Sequence, residues 1–121
     1  MDKFVEQNNV TDLDADLWGQ LEFVRNYSSN VENYTLLMHV CPGIKADSSK
    51  MQLLQSYQDK LYAALINKPQ QIFCGHTHWD TFKLWHGIPA LNVPGFSAKN
   101  LNNPGYRYAN FSDDGKLLDY I

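Results

Sequence analysis

The chain has 121 residues, a formal net charge of −3 and 44% hydrophobic residues. This length fits one domain, and the composition is typical of a globular protein with a buried core rather than of a disordered chain. The acidic balance and the absence of a Lys/Arg cluster argue against nucleic acid or an anionic membrane as a partner, and no apolar run approaches the ~18 residues of a membrane span.

The amino-terminal part of the chain predicts a leader followed by a helix. Residues 1–11 are polar and acidic, so we interpret them as a flexible leader and not as a signal peptide. Asp12 or Asp14 is expected to cap a helix over about residues 14–28, where apolar residues recur at helical spacing. We therefore assign residues 12–121 to a single domain.

A predicted βαβ unit follows this helix. Residues 34–40 form a short apolar run that ends at a Cys-Pro-Gly sequence, which predicts a buried strand followed by a loop. A second helix is expected to begin at Asp47 or Ser48 and to end before Pro69. Residues 71–74 predict a second buried strand. The helix between the two strands favours a crossover connection with the strands parallel.

The carboxy-terminal half predicts two hairpins. The first joins strands over residues 81–86 and 88–93 at a turn near Gly87. The second joins residues 106–111 and 116–121 at an Asp-Asp-Gly turn. The predicted fold class is therefore α/β (α+β), with two helices and about six strands.

Three of the four histidines lie at the ends of the predicted buried strands. His39 ends the first strand, and His76 and His78 follow the second in Gly75-His76-Thr77-His78. Ligands of α/β sheets bind outside the carboxyl ends of strands, and residues i and i+2 of an extended segment point the same way. Gly75 is expected to let the backbone turn and approach closely.

These observations predict that the three imidazoles converge on a site for zinc, iron or manganese. The sequence also allows the alternative that these histidines bind no metal ion. A lone histidine is most often a hydrogen-bonded polar residue, and a short His-x-His pair also occurs by chance. His86, in the first predicted hairpin, is interpreted as a surface residue.

The two histidine motifs resemble those of a known family. Gly75-His76-Thr77-His78 resembles the last motif of the calcineurin-like metallophosphoesterases, and Met38-His39-Val40 resembles their preceding single-His motif. The sequence from His39 to Gly43 is similar to the His-x-Pro-Pro-Gly of the acid-sphingomyelinase-like branch, with Cys41 in place of the first proline. Further segments that resemble this branch are residues 18–23, 76–82, 103–107 and 117–120, so that the resemblance covers roughly residues 14–121.

This resemblance implies a fold, a metal site and a reaction. The fold would be the carboxy-terminal part of a four-layer αββα sandwich. His39 and His76 would bind one divalent metal ion, and His78 would bind the other. The resemblance further implies a bridging Asp and a bridging hydroxide that attacks the phosphorus of a phosphate ester, with zinc, manganese or iron as the metals. The function expected is metal-dependent phosphoesterase activity, and no side chain of this chain is assigned as catalytic.

The chain departs from the family pattern in its missing motifs. The family's Asp-x-His, Gly-Asp and Gly-Asn-His motifs do not occur in the sequence, so the bridging Asp, the Asn ligand and the acid/base His are lacking. We therefore expect the chain to supply only the carboxy-terminal His ligands, to be inactive in isolation, and to self-associate or require an amino-terminal segment. The alternative is a non-catalytic remnant, or an interaction or metal-binding module. The sequence does not indicate a compartment, although the branch is often extracytoplasmic.

Five further residues are candidates for roles around the site. Asp80 either orients one of the motif histidines through a hydrogen bond or is a solvated loop residue. Asn92 and Arg107 are expected near the rim of the cleft, where Arg107 either contacts phosphate or forms a structural ion pair. Cys41 and Cys74 each lie two residues from a proposed ligand, and they either form a disulfide or are two free buried thiols.

Overall fold

A computed structural model of the chain describes residues 16, 18–45, 50–98 and 101–121. The described residues form two helices and six strands in a mixed α/β arrangement, which confirms the predicted fold class. The helices are α1 (Gln20–Asn30) and α2 (Gln55–Ala64), and the strands are β1 (Thr35–Leu37), β2 (Gln71–Cys74), β3 (Thr81–Trp85), β4 (Ile88–Asn92), β5 (Ala109–Phe111) and β6 (Leu117–Tyr120).

Four of the strands form one sheet in the order β1-β2-β4-β3. Strand β2 pairs in parallel with β1 and with β4, and β3 pairs antiparallel with β4. Strands β5 and β6 form a separate antiparallel hairpin. The predicted parallel crossover and both predicted hairpins are thus confirmed. The first hairpin turns at His86 and Gly87, both of which have positive φ, as a two-residue turn of this kind requires.

The core lies between one face of this sheet and the helices. Leu61 and Leu65, at the end of α2, are buried together with Ile72, Ala90 and Trp85 from three strands. Ile72 and Ala90 are partners in the β2–β4 register and so lie on the same face. The partly buried Leu21 and Val24 of α1 pack against the same cluster. Burial of these apolar side chains is the main stabilising contribution to the fold.

The β5–β6 hairpin packs on the opposite face of the sheet. The ring of Phe73 lies 6.1 Å from that of Phe111 and 6.0 Å from that of Tyr120. The buried side chain of Gln71 donates a hydrogen bond to the carbonyl of Gly115 (3.0 Å) and accepts one from the amide of Leu117 (3.2 Å). The hairpin therefore covers the middle of the sheet and is held there by both apolar and polar contacts.

The same face is open towards its two edges. Leu37 on β1 is 74% exposed, and Phe82 and Leu84 on β3 are 75% and 68% exposed. Exposed apolar side chains therefore lie at both edges of this face, and two of them, Phe82 and Leu84, are neighbours on β3. None of the described helices is both long and apolar enough to cross a membrane.

The predicted start of the first helix was too early. The structure begins α1 at Gln20, and the predicted caps Asp12 and Asp14, with the leader of residues 1–11, lie outside the described residues. The carboxylate of Asp16 accepts a hydrogen bond from the amide of Glu22 (3.0 Å), and this contact lowers the pKa of Asp16. The aspartate that contacts the amino terminus of α1 is thus Asp16, a residue that was not among the predicted caps.

The bounds of the next two elements also differ from the prediction. Strand β1 ends at Leu37 rather than at residue 40, because the chain bends at the following residues and brings Cys41 towards β2. The predicted helix starts Asp47 and Ser48 lie outside the described residues. Helix α2 begins only at Gln55, and Met51 instead pairs with Ile44 in an isolated β-bridge.

Candidate metal centre

The ends of β1 and β2 bring His39 and His76 together. Leu37 and Phe73 are partners in the parallel register, so the two chain segments leave the sheet side by side. The amide of Gly75 donates a hydrogen bond to the carbonyl of His39 (2.9 Å) and keeps the segments adjacent. As a result, Nε2 of His39 lies 3.3 Å from Nδ1 of His76, with the ring centroids 5.1 Å apart. Both side chains are exposed and accessible to a ligand.

A disulfide lies directly behind this pair. Cys41 and Cys74 are bonded, with their Cα atoms 5.2 Å apart, and both are buried. This decides between the two alternatives that the sequence left open. The bond joins the segment that carries His39 to the strand that precedes His76, so the two imidazoles extend from a covalently linked base.

The loop that carries His76 and His78 is turned rather than extended. Both residues adopt left-handed backbone conformations, with φ of 69° at His76 and 62° at His78. The expectation that an extended Gly-His-Thr-His segment points both imidazoles the same way is therefore wrong. A left-handed conformation costs about 1 to 2 kcal/mol for a residue other than glycine. Strain of this kind clusters at functional sites, where the surrounding structure holds it in place.

His78 packs against a different segment. The carbonyl of His78 accepts hydrogen bonds from the amide of Gly95 (3.3 Å) and from the side chain of Asn102, and its Nδ1 lies 3.4 Å from the hydroxyl of Ser97. A methyl group at position 95 would lie 2.5 Å from Nδ1 of His78. The close approach of backbone and imidazole therefore requires glycine at this position.

Gly75, where a close approach of the backbone was predicted, is less restricted than Gly95. A methyl group at Gly75 would meet only the carbonyl of His39, at 3.9 Å, which is an ordinary contact. Gly95 was missed, although the Pro94-Gly95 pair is a typical turn sequence. No sequence pattern indicates that this turn folds back on His78, because the contact joins residues that are distant in the chain.

The structure thus brings together two of the three predicted ligands. His39 and His76 are in contact, whereas His78 lies against Gly95 and Ser97. In residues 16, 18–45, 50–98 and 101–121, no group of three or more His, Cys, Asp and Glu side chains is arranged to hold a metal ion.

Asn92 connects the end of β4 to the histidine loop. Its side chain is 2% exposed, and its amide nitrogen donates hydrogen bonds to the hydroxyl of Thr77 (2.9 Å) and to the carbonyl of Trp79. Its amide oxygen lies 3.3 Å from the sulfur of Cys41. Asn92 was predicted at the rim of the cleft, and it lies instead beneath the loop, where it fixes the conformation of the histidine-bearing turn.

Asp80 and Arg107 form an ion pair with each other. The guanidinium of Arg107 donates to the carboxylate of Asp80 and lies over the ring of Tyr120, 5.7 Å from its centroid. These contacts favour the structural alternative for Arg107, because they join the histidine loop to the β5–β6 hairpin. The carboxylate of Asp80 is therefore paired with the guanidinium of Arg107.

An open cavity of about 420 Å³ adjoins the histidine pair. His39 and Gly75 line it, and the rest of its lining is mostly apolar, with contributions from Met38, Phe73 and Val93. A group bound at His39 would thus have apolar surface on one side and solvent on the other.

No protein-family model matches the sequence, and a search of the curated proteins found no significant match. The functional assignment therefore depends on the arrangement of the side chains and on the motif resemblance.

Proposed function

We propose that the chain carries part of the site of a metal-dependent phosphoesterase, in which His39 and His76 bind one divalent metal ion and His78 binds a second. The observation that supports this most directly is the 3.3 Å separation of the facing ring nitrogens of His39 and His76. Two nitrogen ligands at about 2.0–2.1 Å from a tetrahedral zinc ion lie about 3.3 to 3.4 Å apart. This separation matches two ligand positions of one metal ion, and it is also the separation of a direct hydrogen bond between the two rings.

The chain's own residues have distinct parts in this site. The His39 and His76 imidazoles, when neutral, present a ring nitrogen each on an exposed surface. The disulfide and Asn92 limit the movement of the segments that carry them. Divalent metal ions bound here would neutralise charge on a phosphate ester and lower the pKa of a bound water.

His78 has to move before it can serve the second ion. Its Nδ1 faces Ser97, and its ring is in contact with Gly95. The His78 side chain therefore rotates away from Ser97 when the second ion binds.

Hydrolysis further requires a carboxylate that the sequence motifs do not supply. The resemblance implies a bridging Asp between the two ions, and no Asp-x-His or Gly-Asn-His motif occurs in the sequence. We therefore propose that activity on a phosphodiester or phosphomonoester depends on ligands from another polypeptide segment. The isolated chain would then bind a zinc, manganese or iron ion without turnover.

The second candidate function is a non-catalytic interaction module. The observation that favours it is the exposed apolar surface of Leu37, Phe82 and Leu84 on the sheet face opposite the helices. Such a surface is typical of a face that another protein layer covers. In this case the histidine pair would have at most a structural role.

Zinc titration of two matched variants tests the first proposal. We expect His76→Asn to weaken zinc binding at least about tenfold by calorimetry, because one of two ligands is removed. His86→Asn is the control, since His86 also has a positive φ and asparagine tolerates this conformation well. Equal zinc affinity in the two variants would refute His76 as a ligand. Assays of a generic phosphodiester with manganese should show no turnover by the isolated chain.

A further inference from the structure

The disulfide joins the two chain segments that carry His39 and His76. Cys41 follows His39 by two residues, and Cys74 precedes His76 by two residues. Both cysteines are almost fully buried, at 0% and 3% exposure. The bond therefore joins the two histidine-bearing segments where they leave the sheet, close to the imidazoles and against the end of β4.

The disulfide acts together with hydrogen bonds and burial to hold the His39 segment at this point. Strand β1 ends at Leu37, so the residues between it and Cys41 are outside the regular strand pairing. The amides of Met38 and Gly75 form single hydrogen bonds across to the carbonyls of Phe73 (3.0 Å) and His39 (2.9 Å). The disulfide is thus the covalent constraint on a segment that hydrogen bonds and the burial of Cys41 also hold.

Asn92 connects the disulfide to the segment that carries His76. The sulfur of Cys41 lies 3.3 Å from the amide oxygen of Asn92, whose amide nitrogen donates to Thr77, the residue next to His76. The left-handed backbone at His76 is costly and needs such support to persist. Cys41 is therefore linked both to His39 along the chain and to the His76 segment through Asn92.

We propose that Cys41 and Cys74 are positioning residues for the His39–His76 pair, so that the geometry of the pair depends on the redox state of the disulfide. A dithiol reductant breaks the S–S bond by thiol–disulfide exchange. It transfers two electrons and two protons to give thiols at Cys41 and Cys74, and it becomes a disulfide itself. The consequence for metal binding rests on the proposed function, whereas the change in ring geometry does not.

Reduction of the disulfide is expected to separate His39 from His76 while the protein remains folded. Cys41 and Cys74 belong to the buried core cluster that contains Ile72, Ala90, Leu61 and Leu65, and a reduced cysteine still packs there as a small apolar side chain. We therefore expect His39 and His76 to separate while the sheet and the helices remain. Loss of such supporting contacts lowers metal affinity about 10- to 100-fold in known metal sites.

Nuclear Overhauser effects between ring protons test the geometric part directly. In the oxidised protein we expect an effect between His39 and His76, whose ring centroids are 5.1 Å apart. The internal control is the stacked pair Tyr62 and His86, with centroids 4.1 Å apart at the other end of β3. After treatment with dithiothreitol, the first effect should disappear and the second should persist.

A double variant separates reduction of this bond from other effects of the reagent. Cys41→Ser/Cys74→Ser should resemble the reduced wild type with and without dithiothreitol. Retention of both Overhauser effects in the reduced wild type would overturn the proposal. Loss of both effects would also overturn it, because the disulfide would then maintain the whole fold rather than the pair.

Zinc titration, after removal of the dithiol under argon, distinguishes this inference from the proposed function. We expect zinc binding by the oxidised protein to be about 10- to 100-fold tighter than by the reduced protein and the double variant. If neither state binds zinc while the His39–His76 effect follows the redox state, the metal function fails and the positioning role stands. Tighter binding by the reduced wild type alone would mean that the thiolates are ligands, and this would overturn the positioning role.

Discussion

Single residues control how closely the histidine loop approaches the rest of the chain. At Gly95 the absence of a side chain allows the ring of His78 to lie against the backbone, and a methyl group there would come within 2.9 Å of its Cβ. At Asn92 one buried amide satisfies the hydroxyl of Thr77 and the carbonyl of Trp79. The lack of a side chain at Gly95 and the buried amide of Asn92, rather than the motif glycine Gly75, determine the geometry of the histidine loop.

We predict that Gly95→Ala displaces His78 and destabilises the protein by about 1 to 3 kcal/mol, the usual cost of overpacking. Gly75→Ala is the matched control, because its added methyl group would meet only a carbonyl at 3.9 Å. Urea unfolding measures the free energies, and the chemical shifts of the His78 ring report its displacement. If the two variants have equal stability and unchanged His78 shifts, the steric role of Gly95 is refuted.

The elements differ in how well the sequence predicts them. Strand β2 and both hairpins were predicted because apolar runs and turn residues such as Gly87 act locally. The end of β1 and the left-handed backbone at His76 were not predicted. Both depend on the disulfide, on Asn92 and on other contacts between residues distant in the chain. For the same reason the His39–His76 pair was predicted from parallel strand ends, whereas the separate position of His78 was not.

The turn between β5 and β6 has a pH-dependent contribution to stability. The hydroxyl of Ser112 donates a hydrogen bond to the carboxylate of Asp114 and is the main cause of its lowered pKa. Because the pKa of Asp114 is lower in the folded than in the unfolded state, its contribution is complete above the unfolded pKa of about 3.9. It is lost as the pH falls through the folded pKa.

We predict that Asp114→Asn reduces the loss of stability on acidification between about pH 5 and pH 2, because the amide does not ionise. Asp113→Asn, in the same turn, should retain the dependence that comes from Asp114. Urea unfolding of wild type and both variants across this pH range measures the slopes. An unchanged slope in Asp114→Asn would contradict the proposed contribution.

The whole molecule has one well-covered and one partly covered sheet face. The helices bury one face, and the β5–β6 hairpin covers only the middle of the other. Leu37, Phe82 and Leu84 remain exposed at the two edges of this second face. Apolar surface of this kind drives association in water, since its burial is worth roughly 25 cal/mol per Å².

We predict that the chain self-associates through this face and that Phe82→Thr/Leu84→Thr weakens the association at least about tenfold, because apolar contact area is lost. Threonine keeps the β-propensity of the strand. Phe23→Ala on α1 is the control, because Phe23 is equally exposed (68%) but lies on a helix. Sedimentation velocity over a range of concentrations measures the association, and a wild-type monomer at every concentration would disprove it.

The most direct test of the metal assignment is X-ray absorption spectroscopy of the oxidised protein with one equivalent of zinc. The predicted spectrum contains nitrogen scatterers at about 2.0–2.1 Å with the outer-shell pattern of imidazole. This pattern should disappear in the double variant His39→Asn/His76→Asn and persist in His86→Asn. A zinc spectrum without imidazole scattering, or one unchanged in the double variant, would contradict the assignment of His39 and His76 as a metal-binding pair.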